Sequence, residues 1–338
     1  MSRKGNRGIY RAAVTDRPFA ERSIAYLGPA GTFTEEALSA LPDLAAAKRL
    51  PQRSFAEVLA AVARREADLG FVTIENAIEG TVNAALDELV FEQDLLIVRE
   101  VVRPVTQNLL APVGTTLGDI HKVVSFPVAT AQCRAWLAAE LPQALEVAAT
   151  STAEAVRLVA EGGAGEGAAA IGTVLAASLY GLEVVVGGIE DHEHNMTRFV
   201  LIAPPSAGVP PPSGHDKTSV VCFQSADRPG SLHSILGQFS ARGINLVKLE
   251  SRPTKRALGE YCFIIDFEGH VAEEMVADCL RDLHTSLREL KFLGSYPAAG
   301  EAGVRRRRDV NEAWAAADDW IASVRSTVRL PEPEGGPL

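Results

Sequence analysis

The sequence predicts two α/β domains in tandem, joined by a proline-rich linker. Over residues 23–203, short runs rich in β-branched residues alternate with segments of helical periodicity, a pattern typical of an α/β sheet domain. Residues 204–214, "PPSAGVPPPSG", contain five prolines and cannot form a core, which predicts a semi-rigid linker. Over residues 218–296 the runs have the order βαββαβ, which predicts a ferredoxin-like domain.

The strand candidates of the first domain lie between capped helix starts. In a capping box a hydroxyl is followed three residues later by an acid, as in Thr32 with Glu35 and Ser151 with Glu154. The alternation predicts a mostly parallel sheet flanked by helices. In chain order the strand candidates are "SIAYLG", "DLGFVTI", "LLIVREVV", "HKVVSF", "LEVAAT", "AAAIG", "LEVVV" and "RFVLIA".

The two helices predicted in the second domain each carry one apolar stripe. Leu232, Ile235 and Phe239 recur at helical spacing in "SLHSILGQFSARG", and Gly243 is a candidate C-terminal cap. A second apolar stripe begins at Val276 in "EEMVADCLRDLHTSL" and continues through Cys279, Leu280 and Leu283. Each helix therefore has one face to bury against a sheet.

Composition narrows the classes of protein. The chain has 338 residues, 47% of them hydrophobic, and a net charge of −10 with a pI near 5.3, so we expect no nucleic-acid partner and no attraction to an anionic membrane. The one long apolar stretch, residues 168–186, is divided by Gly172 and Gly181, which indicates domain core. The basic start lacks the apolar segment of a secretory signal, which favours a cytoplasmic protein.

Cofactor and metal motifs are weak in this sequence. The four cysteines are widely spaced and form no CxxC pair, so neither a disulfide framework nor a structural zinc site is indicated. His192 and His194 in "DHEHN" have no third ligand at a defined offset, and surface histidines are the simpler interpretation. We therefore predict no metal and no cofactor.

Polar residues stand at several strand ends, where ligands of α/β proteins bind. Gly28 and Gly31 precede a capped helix whose free amides can hold an anion, and Asn76 ends a strand. Ser125 ends another strand, with Gln132 one to two turns into the next helix. Taken singly, the glycine turn is better explained as a plain strand-to-helix connection, Asn76 could be a turn former, and a helix cap explains Ser125 about as well.

Together and in this order, the motifs resemble the prephenate dehydratase family with a C-terminal ACT regulatory domain. They are "GPAGTFTEEAL", "IENAIEGTV", "SFPVATAQC", "STAEAVRLVA", "LYGLEVVV" and "NMTRFVLIA", followed by "DRPGSLHSIL" and "ESRPTKRALGEYCFIIDFEGH". The resemblance implies a catalytic domain of two lobes, like type II periplasmic binding proteins. We expect a flexible arm at 1–22, the catalytic domain at 23–203, a linker at 204–216, the ACT domain at 217–297 and a tail with one amphipathic helix at 298–338.

The resemblance also implies the site. Thr197 of the TRF motif would donate a proton to the leaving hydroxyl of prephenate, which loses water and CO2 to give phenylpyruvate in phenylalanine biosynthesis. The remaining substrate-binding candidates are Asn76, Ser125, Gln132, Thr32 and Arg198, the last either for substrate charge or for holding its strand. Phe126, Val128 and Ala77 depart from the family pattern, which has polar residues there.

For regulation, the resemblance implies that L-phenylalanine binds between paired ACT domains and inhibits. This predicts a homodimer or homotetramer. The effector-binding candidates are Gly230, Ser231, Leu232, Asn245, Glu250, Ser251, Arg252 and Pro253.

Three other functions stay open at this stage. Arogenate could be the substrate, or a related decarboxylase could act on prephenate without forming an aromatic ring. The intact ACT motifs favour a primary-pathway enzyme over the decarboxylase. A non-catalytic amino-acid sensor is the third alternative, against which the TRF motif argues together with Asn76, Ser125 and Gln132.

Overall fold

The structure is a computed structural model that describes residues 21–192, 194–224, 228–256, 259–300, 317 and 319–327. Contacts divide the chain into two units between Val209 and Pro210, inside the proline-rich segment. Nearly all of the predicted N-terminal arm lies outside the described residues. Most of the predicted tail lies outside them as well.

The first unit alternates strands and short helices. Its strands are β1 (Ser23–Leu27), β2 (Lys48–Gln52), β3 (Leu69–Asn76), β4 (Gly80–Thr81), β5 (Leu96–Pro104), β6 (Asn108–Ala111), β7 (Lys122–Ser125), β8 (Leu145–Ala148), β9 (Ala168–Gly172), β10 (Glu183–Gly187) and β11 (Met196–Ala203). Its helices are α1 (Phe33–Ser39), α2 (Phe55–Ala63), α3 (Asn83–Asp87), α4 (Pro127–Ala131), α5 (Arg134–Glu140), α6 (Thr152–Ala160) and α7 (Val174–Tyr180).

These strands form two sheets, one for each lobe. The first has the order β2-β1-β3-β11-β5, with β4 paired to β3, and the second has the order β10-β6-β9-β7-β8. Both are mixed: β1 is parallel to β2 and β3, but β11 is antiparallel to β3 and β5. The prediction of a mostly parallel sheet is therefore wrong, because the chain passes twice between the lobes and returns along an antiparallel strand each time.

Three strands of these sheets were not predicted from the sequence: β4, which has only two residues, and the longer β2 and β6. The β2 strand contains Pro51, and it lies at the edge of the first sheet, where a missing amide is tolerated. The β6 strand has only four residues, all buried, so no alternation of polar and apolar residues marks it. Both cases lack the period-two pattern on which the prediction depends.

The chain crosses between the lobes at residues 104–108 and again at residues 187–196. The amide of Val105 donates to the carbonyl of Asn195 over 2.8 Å, and the amide of Ile189 donates to the carbonyl of Gln107 over 3.0 Å. The two crossing segments are therefore hydrogen-bonded to each other. This two-lobed α/β arrangement confirms the predicted fold class of the first unit.

A second contact between the lobes is made by the glycine turn before α1. The hydroxyl of Thr173 in the second lobe donates to the carbonyl of Gly31 over 2.8 Å. The Glu36 carboxylate accepts from the amide of Leu175 at the start of α7 over 3.1 Å. Burial raises the pKa of Glu36, and the bonds from the α7 amides only partly oppose that rise.

We predict that Gly31→Ala will destabilise the protein through this contact. Gly31 has φ of +89°, and an added Cβ would lie 3.0 Å from the Cβ of Ala176 in the other lobe. The left-handed backbone alone costs an alanine roughly 1–2 kcal/mol. Gly114→Ala is the matched control, because Gly114 has φ of +86° and nothing within 4 Å of an added Cβ. Urea unfolding should show the larger loss for Gly31→Ala, and equal losses would contradict the prediction.

The second unit has the predicted order βαββαβ. Its elements are β12 (Asp216–Phe223), α8 (Ser231–Ser240), β13 (Leu246–Pro253), β14 (Tyr261–Glu268), α9 (Glu274–Ser286) and β15 (Glu289–Pro297). All strand pairs in its sheet, of order β13-β14-β12-β15, are antiparallel. Both helices pack on one face of the sheet, around Phe239 and Phe267, whose rings are tilted 5.0 Å apart. The ferredoxin-like prediction is confirmed.

Residues 319–326 of the tail are helical. The amphipathic helix predicted in the tail was expected to have Trp314, Ala317, Ile321 and Val324 on one face; Ile321 and Val324 are exposed, and Trp314 lies outside the described residues. In the part of the chain that the structure describes, no helix combines the length and hydropathy that a bilayer crossing requires.

Candidate active site

The end of β3 and the start of β11 bring together two of the predicted site residues. Thr197 and Asn76 are register partners in neighbouring antiparallel strands, so their side chains share one face of the first sheet. Thr197 is only 5% exposed. The strand pairing thus places a hydroxyl and an amide side by side in a buried position where the lobes meet.

The amide of Asn76 is held in one orientation. Its Oδ1 accepts hydrogen bonds from the backbone amides of Ile78 and Glu79, each over 2.9 Å. Its Nδ2 must therefore point the other way, and it donates to Oγ1 of Thr197 over 2.8 Å and to Oδ1 of Asn195 over 2.7 Å. Backbone donors cannot reverse, so the direction of these bonds follows from the turn after β3.

Further side-chain amides continue this hydrogen-bond network into the second lobe. Nδ2 of Asn195 donates to Oε1 of Gln132 over 3.0 Å, and Nε2 of Gln132 donates to a carboxylate oxygen of Glu79 over 3.2 Å. Nε2 of Gln107 donates to the same Oε1 of Gln132 over 3.2 Å. Because the Glu79 carboxylate only accepts, the network has a fixed donor at one end and a fixed acceptor at the other, and every amide orientation is determined.

This polarity decides what Thr197 can do. Its oxygen accepts from Asn76, so its own hydrogen is not used in that bond. Among the described residues, none accepts a hydrogen bond from the Thr197 hydroxyl. A hydroxyl that accepts a hydrogen bond from an amide can still give its own proton to a bound molecule. The amide hydrogen then stabilises the negative charge on the oxygen that remains.

A cavity of about 460 Å³ adjoins this network. Its lining includes Ala77 and Ile78, which follow Asn76, and His194, which precedes Asn195. Asp191 and His192 complete the lining. No cluster of three or more potential metal-binding side chains is present in the described ranges.

Two predicted substrate contacts lie outside the amide network. Ser125 is fully buried at the end of β7, and its hydroxyl donates to the carbonyl of Ile171 over 3.0 Å. It borders a separate cavity of about 210 Å³ in the second lobe. Thr32 caps α1, accepting from the amide of Glu35 over 3.4 Å, and its hydroxyl donates to the carbonyl of Leu27 over 3.1 Å.

Arg198 faces away from Thr197, because consecutive side chains of a strand point to opposite faces. Its Nε donates to Oε1 of Glu100 over 2.6 Å, and its NH1 lies 3.4 Å from Oε2 of Glu75. The Glu100 side chain is 0% exposed. Arg198 therefore ties β11 to both of its neighbours, β3 and β5, which matches the strand-holding alternative.

In the second unit, the two groups of effector candidates meet at one edge of the sheet. Gly230, with φ of +86°, precedes α8, which begins at Ser231 after the end of β12. Phe223 at the end of β12 pairs with Cys262 of β14, and Cys262 pairs with Arg252 near the end of β13. The C-terminal ends of β12 and β13 therefore lie side by side across β14. The other candidates occupy the same segments, with Leu232 in α8 and Glu250, Ser251 and Pro253 in β13. Asn245 instead precedes β13, at the far end of that strand.

Comparison with known proteins decides the family. The prephenate dehydratase family matches residues 24–207, and the ACT domain family matches residues 218–285. The chain belongs to the prephenate dehydratase family. A prephenate dehydratase of Amycolatopsis methanolica is 42% identical over 307 residues, which cover 89% of this chain and 97% of that protein.

Solved structures of similar proteins agree. The crystal structure of a prephenate dehydratase from Arthrobacter aurescens in complex with L-Phe matches 90% of this chain and 99% of its own, at 40% identity and a TM-score of 0.82. GqqA, described as a novel type of quorum quenching acylase, matches 82% of this chain and 98% of its own, at 32% identity and a TM-score of 0.73. The predicted family is thereby confirmed.

Three residues of the amide network in this member of the prephenate dehydratase family were not predicted as site residues. They are Asn195, Gln107 and Glu79. Asn195 and Gln107 lie in the two crossing segments, which have no periodicity, and Glu79 lies in the turn after β3. Asn195 directly precedes β11, which contains the TRF motif. A polar residue next to a buried strand was the one feature of the sequence that could have identified Asn195 as a site residue.

Proposed function

We propose that the protein is a prephenate dehydratase, a carbon–oxygen lyase in which Thr197 is the proton donor. The observation that carries this assignment is the direction of the Asn76–Thr197 hydrogen bond, which leaves the threonine hydrogen available. The confirmed family supplies the substrate class. The histidines in the described part of the catalytic unit make no hydrogen bond to a serine, threonine or cysteine side chain, so the site gives no support to acyl transfer.

The chemistry balances with one proton. The bond between the ring and its carboxylate breaks, and CO2 leaves. The electron pair of that bond enters the ring, the C4–O bond breaks, and the ring becomes aromatic. Thr197 gives its proton to the departing hydroxide, which leaves as water, and solvent then returns a proton to the threonine oxygen. The products are phenylpyruvate, CO2 and water.

A threonine hydroxyl is a weak acid, so the site must assist it. Aromatisation supplies the driving force, and Thr197 is 95% buried, where hydrogen bonds are stronger than in water. As the proton leaves, the developing negative charge on Oγ1 is stabilised by the hydrogen of Asn76. That hydrogen is already in place, since the backbone amides after β3 hold the Asn76 side chain.

The other candidates have positioning roles in this proposal. Gln132 in the second lobe makes hydrogen bonds with Asn195 and Glu79 and so fixes the position of the second lobe relative to the first. Ser125 and Thr32 are proposed to bind substrate. Their hydroxyl oxygens, or the backbone amides next to them, would make the hydrogen bonds. Arg198 acts by holding β11 and not by contacting substrate charge.

We propose that L-phenylalanine inhibits the enzyme by binding to its ACT domain. Support comes from the similar Arthrobacter enzyme, whose structure contains L-Phe, and from the shared edge that holds most of the effector candidates. Residues 230–232 and 250–253 would contact the effector, together with Asn245. Inhibition requires that the effector favour one state of the protein, with a coupling of about 1–3 kcal/mol.

The organisation of the protein is part of the same proposal. The catalytic domain spans residues 23–203 and the ACT domain spans residues 217–297, with the linker at 204–216 and terminal segments at 1–22 and 298–338. Paired ACT domains imply a homodimer or homotetramer, which mass measurement in solution can distinguish. As a biosynthetic enzyme, the protein would act in the cytoplasm.

The deciding experiment follows phenylpyruvate formation from prephenate by the purified full-length protein, with and without L-phenylalanine. We expect turnover that L-phenylalanine lowers. Consumption of prephenate without phenylpyruvate would instead indicate a decarboxylase. Activity only with arogenate would indicate the other dehydratase, and phenylalanine binding without any turnover would indicate a sensor.

A further inference from the structure

Gln107 is the one member of the amide network with a buried side-chain atom that has no hydrogen-bond partner among the described residues. It lies in the first crossing segment and is 2% exposed. Its backbone is fixed on both sides: its amide donates to Oε2 of Glu190 over 2.8 Å, and its carbonyl accepts from Ile189. The side chain is therefore anchored at a fixed point of the first crossing segment, in the interior of the catalytic unit.

The orientation of the Gln107 amide follows from the rest of the network. Oε1 of Gln132 faces both Gln107 and Asn195, so Gln107 must present its Nε2 there. Turning the Gln107 amide over would set two carbonyl oxygens against each other. Oε1 of Gln107 consequently points elsewhere, and within the described residues it has no hydrogen-bond partner.

A buried acceptor without a partner destabilises the free protein, because water has been removed and no bond has replaced it. Such a group calls for an explanation, and a ligand that donates a hydrogen bond is one. Gln107 is connected through Gln132 and Asn195 to Asn76, which donates to Thr197, and this connection points to the proposed active site as the place of that ligand.

Prephenate has one group that matches. At neutral pH it carries two carboxylates and a ketone, all acceptors, and a single donor, the hydroxyl at C4 of the ring. We propose that Oε1 of Gln107 accepts a hydrogen bond from this hydroxyl, an inference that rests on the proposed function. Thr197 then donates to the hydroxyl oxygen while Gln107 accepts its hydrogen, so the leaving group is held from two sides.

This bond strengthens during the reaction. As Thr197 transfers its proton, the leaving group becomes water, whose hydrogens are better donors while positive charge develops on the oxygen. An acceptor that binds the transition state more tightly than the substrate raises kcat, not only affinity. Gln107 therefore selects a ring hydroxyl at C4 and assists its departure.

The test pairs Gln107→Met with two substrate analogues. Methionine keeps the length of the side chain but has neither the amide donor nor its acceptor. The analogues have a saturated ring that cannot aromatise, keep both carboxylates and the ketone of prephenate, and differ only in the C4 hydroxyl. Inhibition constants for both, and kcat and KM for prephenate, are measured on the full-length protein. Thr106→Val is the control, since Thr106 is an exposed neighbour in the same segment.

We expect the wild type to bind the hydroxylated analogue about 100-fold more tightly than the other, the value of two net hydrogen bonds, one to Thr197 and one to Gln107. In Gln107→Met this preference should fall about tenfold, to the part that the Thr197 hydrogen bond supplies, with kcat for prephenate lowered by about 10- to 100-fold, and the melting temperature should not fall. Thr106→Val should match the wild type throughout.

Other outcomes would overturn the inference. If Gln107→Met weakens both analogues alike, the residue only supports the fold of the cleft. If the variant keeps the wild-type preference for the hydroxyl, another group recognises it. A wild type that turns over prephenate separates these results from a failure of the proposed function, whereas no turnover at all would overturn both.

Discussion

Thr197→Val is expected to lower kcat for phenylpyruvate formation by about 100- to 10,000-fold, the usual contribution of a positioned general acid. Valine keeps the β-branched shape that suits β11 and removes only the hydroxyl. Asn76 would still donate to Asn195, so the network should persist. Steady-state kinetics with prephenate measure the effect, and unfolding curves check that the variant folds.

Thr197→Ser is the matched control, because it restores the hydroxyl without the methyl group. It should recover most of the activity that valine loses. Asn76→Asp tests the direction of the hydrogen bond, since a carboxylate would accept from Thr197 and draw its hydrogen away from the substrate. This variant should lose activity on the scale of Thr197→Val. A valine variant within threefold of the wild type would exclude Thr197 as the donor.

Arg198→Met is expected to lower the free energy of unfolding by about 3–5 kcal/mol, because it removes the guanidinium beside a buried carboxylate. The side chain of Glu100 is 0% exposed, and its oxygen lies 2.6 Å from Nε of Arg198. Urea unfolding measures the loss. The double variant Arg198→Met with Glu100→Leu should recover much of it, since no charge is then left in the interior.

The same variants separate the two alternatives for Arg198. If Arg198 holds the strand, the double variant should bind prephenate with a KM near that of the wild type. If it binds substrate charge, KM should stay raised in the double variant even where stability returns. A loss below 1 kcal/mol in the single variant would show that the ion pair with Glu100 is not a structural tie.

Local pattern was enough to predict most of the elements, but not their neighbours in space. The "RFVLIA" run marked β11, yet nothing local indicates that Thr197 pairs with Asn76, which is 121 residues away. The antiparallel crossings escaped for the same reason. By contrast, the opposite directions of Thr197 and Arg198 follow from the period of a strand alone and could have been predicted.

The site was predictable only where a residue belonged to a regular element or a motif. This was so for Asn76, Gln132 and Thr197, which belong to one hydrogen-bond network in the structure. Gln107 and Asn195 lie in irregular crossings, where polar residues usually satisfy the backbone or face solvent. Their roles became visible only from the hydrogen bonds, because the orientation of each amide depends on a partner that is distant in sequence.

The central position of β11 also sets the order in which a newly made chain can become active. This strand lies between β3 and β5, yet it is the last strand of the catalytic unit to be synthesised. Until it arrives, β3 and β5 have no common partner, even though the whole second lobe has already been translated. Insertion of β11 closes the sheet and delivers Thr197 to Asn76 in the same step. A growing chain therefore cannot form the Thr197–Asn76 pair before the whole catalytic unit has been synthesised.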